Sequence, residues 1–256
     1  MKKAIFTFLL AVTTGINAQI MVVNEIETES QENFSTMVTQ WMTAIKSTLE
    51  IEDAKTYTFE EPGTKKVQFL QFYDSMTDMV EFRNNQDENQ EKIWGTLQNM
   101  EPMPEGTIET FNEVTSFKES SVWEFMPELS TTPETWSILS RAEKDAHFYR
   151  RIQYINVKMN QDMAYEAWNK KMNALDKKLG ISYHFAIFKS VFGAKDADYM
   201  VVCIDKSQFD YFRNWEKRTE IREKSAEYNA LVGELSTSNW SLISEFTWNR
   251  ILELTF

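Results

Sequence analysis

Ser207-Gln208-Phe209-Asp210-Tyr211-Phe212-Arg213-Asn214 decides the fold, because Ser75-Met76-Thr77-Asp78 and the Phe82-Arg83-Asn84 beyond it tell the same story earlier in the chain. A Ser three residues ahead of an Asp is a helix N-terminus signature: the hydroxyl accepts from an early backbone N–H, and the carboxylate suits the positive end of the helix. Phe-Arg-Asn recurs 130 positions apart, and Met42, Ala44 and Leu49 recur at the same offset as Met172, Ala174 and Leu179. Several matches sharing one offset and one local context point to a duplicated unit. The Ser-x-x-Asp start lies seven residues before Phe82 and five before Phe212, so the offset drifts by two. Phe-Arg-Asn thus marks equivalent helices: Phe82 and Phe212 are expected to pack, and Arg83 and Arg213 to tie each helix to a nearby carboxylate or carbonyl.

Outward from these helices, the two halves follow one order. In the first, residues 20–27 read as a strand. Phe34, Met37, Val38, Trp41, Met42, Ile45 and Leu49 then recur at helical spacing over 30–50. Residues 55–59 alternate like a half-buried strand, Glu61-Pro62-Gly63-Thr64 is a turn, and 66–73 resumes as a strand. The helix begun at Ser75 is predicted to run to Asn99, with Met76, Met79, Val80, Trp94 and Leu97 inward. A Pro/Glu-rich connector at 101–106 precedes a strand over 121–126. In the second half, 148–157 reads as a strand and Asn160 as the cap of a helix with Met163, Ala167, Trp168, Met172, Leu175 and Leu179 on one face. Gly180 ends that helix. Strands over 181–188 and 198–204, joined at Phe192-Gly193-Ala194-Lys195, lead to the Ser207 helix, which runs to about Gly233. A strand over 242–252 closes the chain.

Each half is therefore a β-α-β-β-α-β unit of the ferredoxin-like kind. The predicted layout is a signal peptide over 1–18, unit 1 over 19–130, a linker over 131–147 and unit 2 over 148–256. Such a unit covers one sheet face with its helices and leaves the other bare. Two in tandem can bury their bare faces together, giving an α+β protein with two antiparallel sheets packed face to face. In its element order and duplication the whole mature chain resembles the dimeric α/β-barrel superfamily, whose members include the antibiotic-biosynthesis monooxygenase and NIPSNAP-like groups. The resemblance implies that fold, and by analogy a monooxygenase-like or haem-binding activity on an aromatic or haem-like substrate.

Lys2 and Lys3, the apolar run from Ala4 to Val12, and Ile16-Asn17-Ala18 have the parts of a cleavable secretory signal cut after Ala18. The expected location is periplasmic or secreted, with no membrane association after cleavage. Removing the two leader lysines takes the formal charge from −12 to −14, which disfavours nucleic acid and anionic lipid as partners. Cys203 is the only cysteine, so no intramolecular disulfide forms, and its apolar strand-like setting reads as an inert thiol. Eight Trp, nine Tyr and eighteen Phe against seven Gly and five Pro argue for regular elements around an aromatic core, as monomer or homodimer.

Strand alternation singles out the chemistry. On 181–188, His184 shares a face with Ser182 and Ala186, opposite the bulkier Tyr183, Phe185 and Ile187. On 148–157, Arg150, Tyr154 and Asn156 share a face by the same logic. If these faces look between the halves, the four residues form a polar cluster in an apolar cavity, the design a small apolar or aromatic ligand needs. His184 is the candidate general base, or a single axial ligand to haem iron; Arg150, Tyr154 and Asn156 are candidate ligand-binding residues. The same cluster also reads as a polar network that fixes how the halves pack. His147, in the charged linker, reads as a solvated surface residue. No metal site is expected from two separated histidines and one cysteine, and glycine-rich nucleotide loops and Gly-x-Ser-x-Gly are absent. Catalytic residues stay unassigned beyond His184, no cofactor is required apart from the haem alternative, and an acidic protein-interaction module is a third reading.

Overall fold

The computed structural model describes residues 19–52, 54–100, 115–194, 196–235 and 240–256. The signal segment over 1–18, the connector at 101–106 and Lys195 of the predicted turn lie outside the described residues. The first half supplies strands β1 (Ile20–Thr28), β2 (Thr56–Glu60), β3 (Lys66–Tyr73) and β4 (Thr115–Phe125); the second supplies β5 (Tyr149–Val157), β6 (His184–Phe192), β7 (Tyr199–Asp205) and β8 (Trp240–Ile251). All pairings are antiparallel, and the strand order β1-β3-β2-β8-β5-β7-β6-β4 closes on itself. The two predicted sheets are thus joined at both edges. β2 meets β8 with Phe59 opposite Arg250, and β4 meets β6 with Phe125 opposite Phe188. Closure removes every exposed edge strand.

Alternation sends one set of side chains inside. Met21, Phe59, Leu70, Trp123, Ile152, Phe188, Met200 and Trp248 come from both halves and form one interior cluster. Each such side chain contributes roughly 1.5–3 kcal/mol when fully buried. The opposite set, including Ile20, Val22 and Val122, faces the helices.

The outer layer comprises α1 (Gln31–Leu49), α2 (Met76–Glu88), α3 (Gln90–Asn99), α6 (Asp162–Lys178), α7 (Gln208–Glu223) and α8 (Ala226–Leu235), with two short helices, α4 (Thr132–Thr135) and α5 (Arg141–Asp145), between the halves. Ser75 and Ser207 each accept a hydrogen bond from the backbone N–H of Asp78 and Asp210, as the duplicated signature requires. Four expectations are corrected. The predicted helix 75–99 breaks at Asn89, whose side-chain amide takes the carbonyl of Asn85 at 2.9 Å and competes with the helix ladder. The break turns Val80 and Trp94 outward (45% and 36% exposed) and buries Ile93 instead. The Ser207 helix likewise ends at Glu223, and Ser225 restarts the chain by accepting from Tyr228 N–H. Asn160 does not cap α6: it adopts a left-handed φ of 66°, the helix starts at Asp162, and Met163 stands 82% exposed.

Phe-Arg-Asn behaves differently in the two halves. Phe82 packs against Tyr73 with ring centroids 5.6 Å apart. Phe212 is 42% exposed and carries the Arg151 guanidinium 5.0 Å above its ring, while Arg213 pairs with Asp210 at 2.5 Å.

Candidate functional site

The stretch predicted to be a linker folds over one end of the barrel. Leaving β4, the chain runs alongside β6: Met126 N–H donates to Ile187 O at 2.9 Å, Ser130 Oγ accepts from Ile187 N–H, and Thr131 Oγ1 accepts from Phe185 N–H. These bonds satisfy strand groups that β4 no longer reaches. α4 and α5 then cross the mouth, α5 fixed by a capping box between Ser140 and Glu143.

Beneath this cap lies a cavity of about 450 Å3. Its walls are mainly aromatic and come from both halves: Tyr57, Phe59, Phe72 and Phe125 from the first, Phe188 and Trp248 from the second. Its rim is cationic. Among the described residues, Lys55, Arg141, Lys144, Arg150 and Arg250 line it against a single carboxylate, Asp145. Lys55 is paired with Asp74 at 2.8 Å. Asp145 holds Arg141 at 3.1 Å and Arg250 at 3.2 Å.

Arg150 is 6% exposed. Its Nη1 donates to the carbonyls of His147 (2.7 Å) and Tyr149 (2.9 Å), and its guanidinium lies 5.5 Å from the rings of Phe59 and Trp136. Burial, reinforced by the nearby charge of Arg250, brings its pKa down to about 9.

Of the four predicted site residues, the structure brings two to this mouth and carries two away. Arg150 lines the cavity. His184 lies beside it in the cap: its Nδ1 is 2.9 Å from Thr135 Oγ1, and its ring meets Trp136 edge-on at 5.5 Å and His147 edge-on at 5.2 Å. Thr135 Oγ1 donates to Thr131 O, which leaves its lone pairs to accept from His184 Nδ1–H. Tyr154 faces inward as predicted, but deeper, stacked on Trp123 at 5.4 Å and edge-on to Phe246 at 5.0 Å. Asn156 is half-buried and its amide donates to Asp196 O at 2.7 Å; between Tyr154 and Ile155 the strand slips in register against β8.

His147 corrects the expectation of a solvated residue. It is 9% exposed, and its Nδ1 lies 2.6 Å from Glu143 O, so it is a structural part of the cap. Sequence reasoning also missed Trp136, Thr132, Trp248 and Arg250. The signal available was the density of aromatic and basic residues between Trp136 and Arg150. Burial pushes the Cys203 thiol up to about 11, in keeping with an inert cysteine. Among the described residues, no group of His, Cys, Asp and Glu is arranged to hold a metal ion, and no helix is long and apolar enough to cross a membrane.

His184 gives the protein a pH response. Burial, helped by the charges of His147 and Arg150 and opposed by Asp205, lowers its pKa. The folded state therefore takes up this proton less readily than the unfolded chain, whose His titrates at about 6.5, and folding stability falls as pH drops below that value. Thermal melting from pH 7.5 downward is expected to show this decline. His184→Gln, which keeps a donor for Thr135, should flatten it; an unchanged slope would remove His184 as the cause.

No protein-family model matches the chain, and no curated protein does. Solved structures do match over nearly the full length. A candidate chlorite dismutase shares 9% identity, covering 93% of this chain and 96% of its own, with a TM-score of 0.52. An anthrone oxidase-like protein shares 14% identity, covering 92% of each chain, with a TM-score of 0.52. A haem-binding protein from Thermus thermophilus shares 11% identity, covering 93% of each chain, with a TM-score of 0.51. At such identities the likeness is one of architecture, and it places the chain with the dimeric α/β-barrel fold.

Proposed function

We propose that the barrel binds a small, largely apolar ligand in the mouth cavity between its two halves. The cavity itself carries this reading. At about 450 Å3 it falls within the roughly 300–1,000 Å3 usual for small-molecule sites. It also combines aromatic walls with a few polar groups beneath the cap. A rigid neutral probe, 2-naphthamide, tests it through tryptophan fluorescence. The wild-type protein is expected to bind it saturably. Ala186→Phe, which puts a ring where Ala186 lines the cavity, should weaken binding at least about 10-fold with only about 1–3 kcal/mol of overpacking cost. Equal affinity in the variant would move the ligand elsewhere or deny it.

A second reading, a monooxygenase-like or haem-binding enzyme, draws on two structural neighbours described as anthrone oxidase-like and haem-binding. The residues for such chemistry are His184, Arg150 and Tyr154. His184 is not among the cavity-lining residues, and its ring lies edge-on against Trp136 and His147 in the cap. That arrangement does not fit an axial haem ligand facing the cavity. The ligand-binding reading is therefore preferred.

A further inference from the structure

The donors around the mouth cavity outnumber the acceptors left to receive them. Trp248 lines the cavity and is 1% exposed, and its indole Nε1, which can only donate, finds no hydrogen-bond partner among the described residues. Thr132 lines it too, 9% exposed, with an equally unpartnered hydroxyl. Arg150 makes both its hydrogen bonds among the described residues through Nη1, so its Nε and Nη2 donors are uncommitted. The one carboxylate among the described lining residues, Asp145, is already paired with Arg141 and Arg250. Arg150 forms no ion pair among the described residues, and a buried charge is costly to leave uncompensated.

Unpartnered buried donors are rare in folded proteins, and here two side chains carrying them, Trp248 and Thr132, line the same space as the unpaired Arg150. We infer that the ligand is a small amphipathic monoanion: an aromatic or apolar body carrying one carboxylate-class acid, held by the Arg150 fork with help from Trp248 Nε1–H and Thr132 Oγ1–H. This rests on the ligand-binding reading above and names the ligand's class. The charge count sets one negative charge, because of the two buried arginines that line the cavity Arg250 is paired with Asp145 and Arg150 is not. The fork suits a planar carboxylate, which takes two parallel N–H···O bonds. The aromatic walls suit the body, and a bound anion would offset the burial and the Arg250 charge that lower the proton affinity of Arg150. The cationic rim, in a chain of net charge −12, would draw such an anion to this end of the barrel.

The test compares two probes of one shape, 2-naphthoate and 2-naphthamide, on wild-type protein, Arg150→Met and Trp248→Phe. The wild type is expected to prefer the acid by about 10- to 100-fold, the range of a charge-assisted hydrogen bond in a buried site. Arg150→Met should abolish the preference while leaving amide affinity within about 3-fold. Trp248→Phe keeps the ring and removes only the N–H, and should lower acid affinity several-fold more than amide affinity; it decides the matter if Arg150→Met does not fold. Equal binding of acid and amide by wild type, or a preference that survives Arg150→Met, overturns the anion assignment and leaves the apolar-ligand reading standing. Failure of both probes to bind at millimolar concentration overturns both.

Discussion

Gly193→Ala is expected to destabilise the protein by at least about 3 kcal/mol, combining the cost of a left-handed non-glycine residue with that of overpacking. Gly193 has φ 77°, and a Cβ placed on it would sit 2.3 Å from the backbone oxygen of Ser120 and 3.2 Å from Ser121 Cα. These are backbone atoms of β4, which is paired on one side with β1 and on the other with β6. They cannot swing aside as a side-chain tip would. The clash falls at the β4–β6 seam, one of the two places where the halves join, so the substitution strains barrel closure itself. Gly63 is the matched control: its φ is also 77°, but an added Cβ meets nothing within 4 Å. Gly63→Ala should therefore cost only about 1–2 kcal/mol. Urea unfolding of both variants checks the contrast, and equal losses would show that the seam tolerates the added carbon.

Asp176→Ala is expected to cost about 3–5 kcal/mol, the range for removing one partner of a buried ion pair. Asp176 lies on the inner side of α6 and is 2% exposed. It receives Arg222 Nε at 2.8 Å, a second bond from Arg222 Nη2, and the Tyr183 hydroxyl at 3.1 Å. Removing the carboxylate strands a guanidinium that is only 15% exposed, in the seam joining α6, α7 and the start of β6. The double variant Asp176→Ala/Arg222→Leu removes both charges, and should lose less than the two single losses added together. Urea midpoints for the three proteins measure this. A single-variant loss under about 1 kcal/mol would mean that water reaches the pair and screens it.

The duplicated frame was legible because it is written in local rules. Two Ser-x-x-Asp starts, a helical stripe in each half and alternating strands led to the ferredoxin-like order, and the bare sheet faces led to the barrel. The helix ends and breaks were less legible. Asn89 and Ser225 interrupt predicted helices through side-chain bonds to nearby backbone, which compete with helical pairing without leaving a gap in the apolar pattern. Asp176 was invisible for a related reason. A charged residue beside Leu175 on α6 reads as solvent-facing until Arg222 and Tyr183, distant in sequence, come to meet it.

The site was legible in part. Strand alternation turned Arg150, Tyr154 and His184 inward, but alternation is blind to depth along the barrel. Tyr154 is therefore core, while Arg150 and His184 sit at the mouth. Asn156 lies past a bulge, and a one-residue slip is enough to change what a strand residue meets. The larger gap was the stretch 131–147. Its charge and its Pro133 suggested a solvated connector, whereas Trp136 and His147 fold onto Arg150 and His184 and roof the cavity. The density of aromatic and basic residues from Trp136 to Arg150 was the local hint, and by itself it does not say that the stretch roofs a barrel.

Ligand binding in the mouth cavity is the central claim, and the indole N–H signals of the eight tryptophans read it directly. In a two-dimensional 1H–15N titration with 2-naphthoate, the signals of Trp248 and Trp136, which line the cavity, should shift saturably. Trp41 and Trp240, which pack against the outer helices, should stay in place. Shifts confined to the outer tryptophans, or none at all up to millimolar 2-naphthoate, would contradict it.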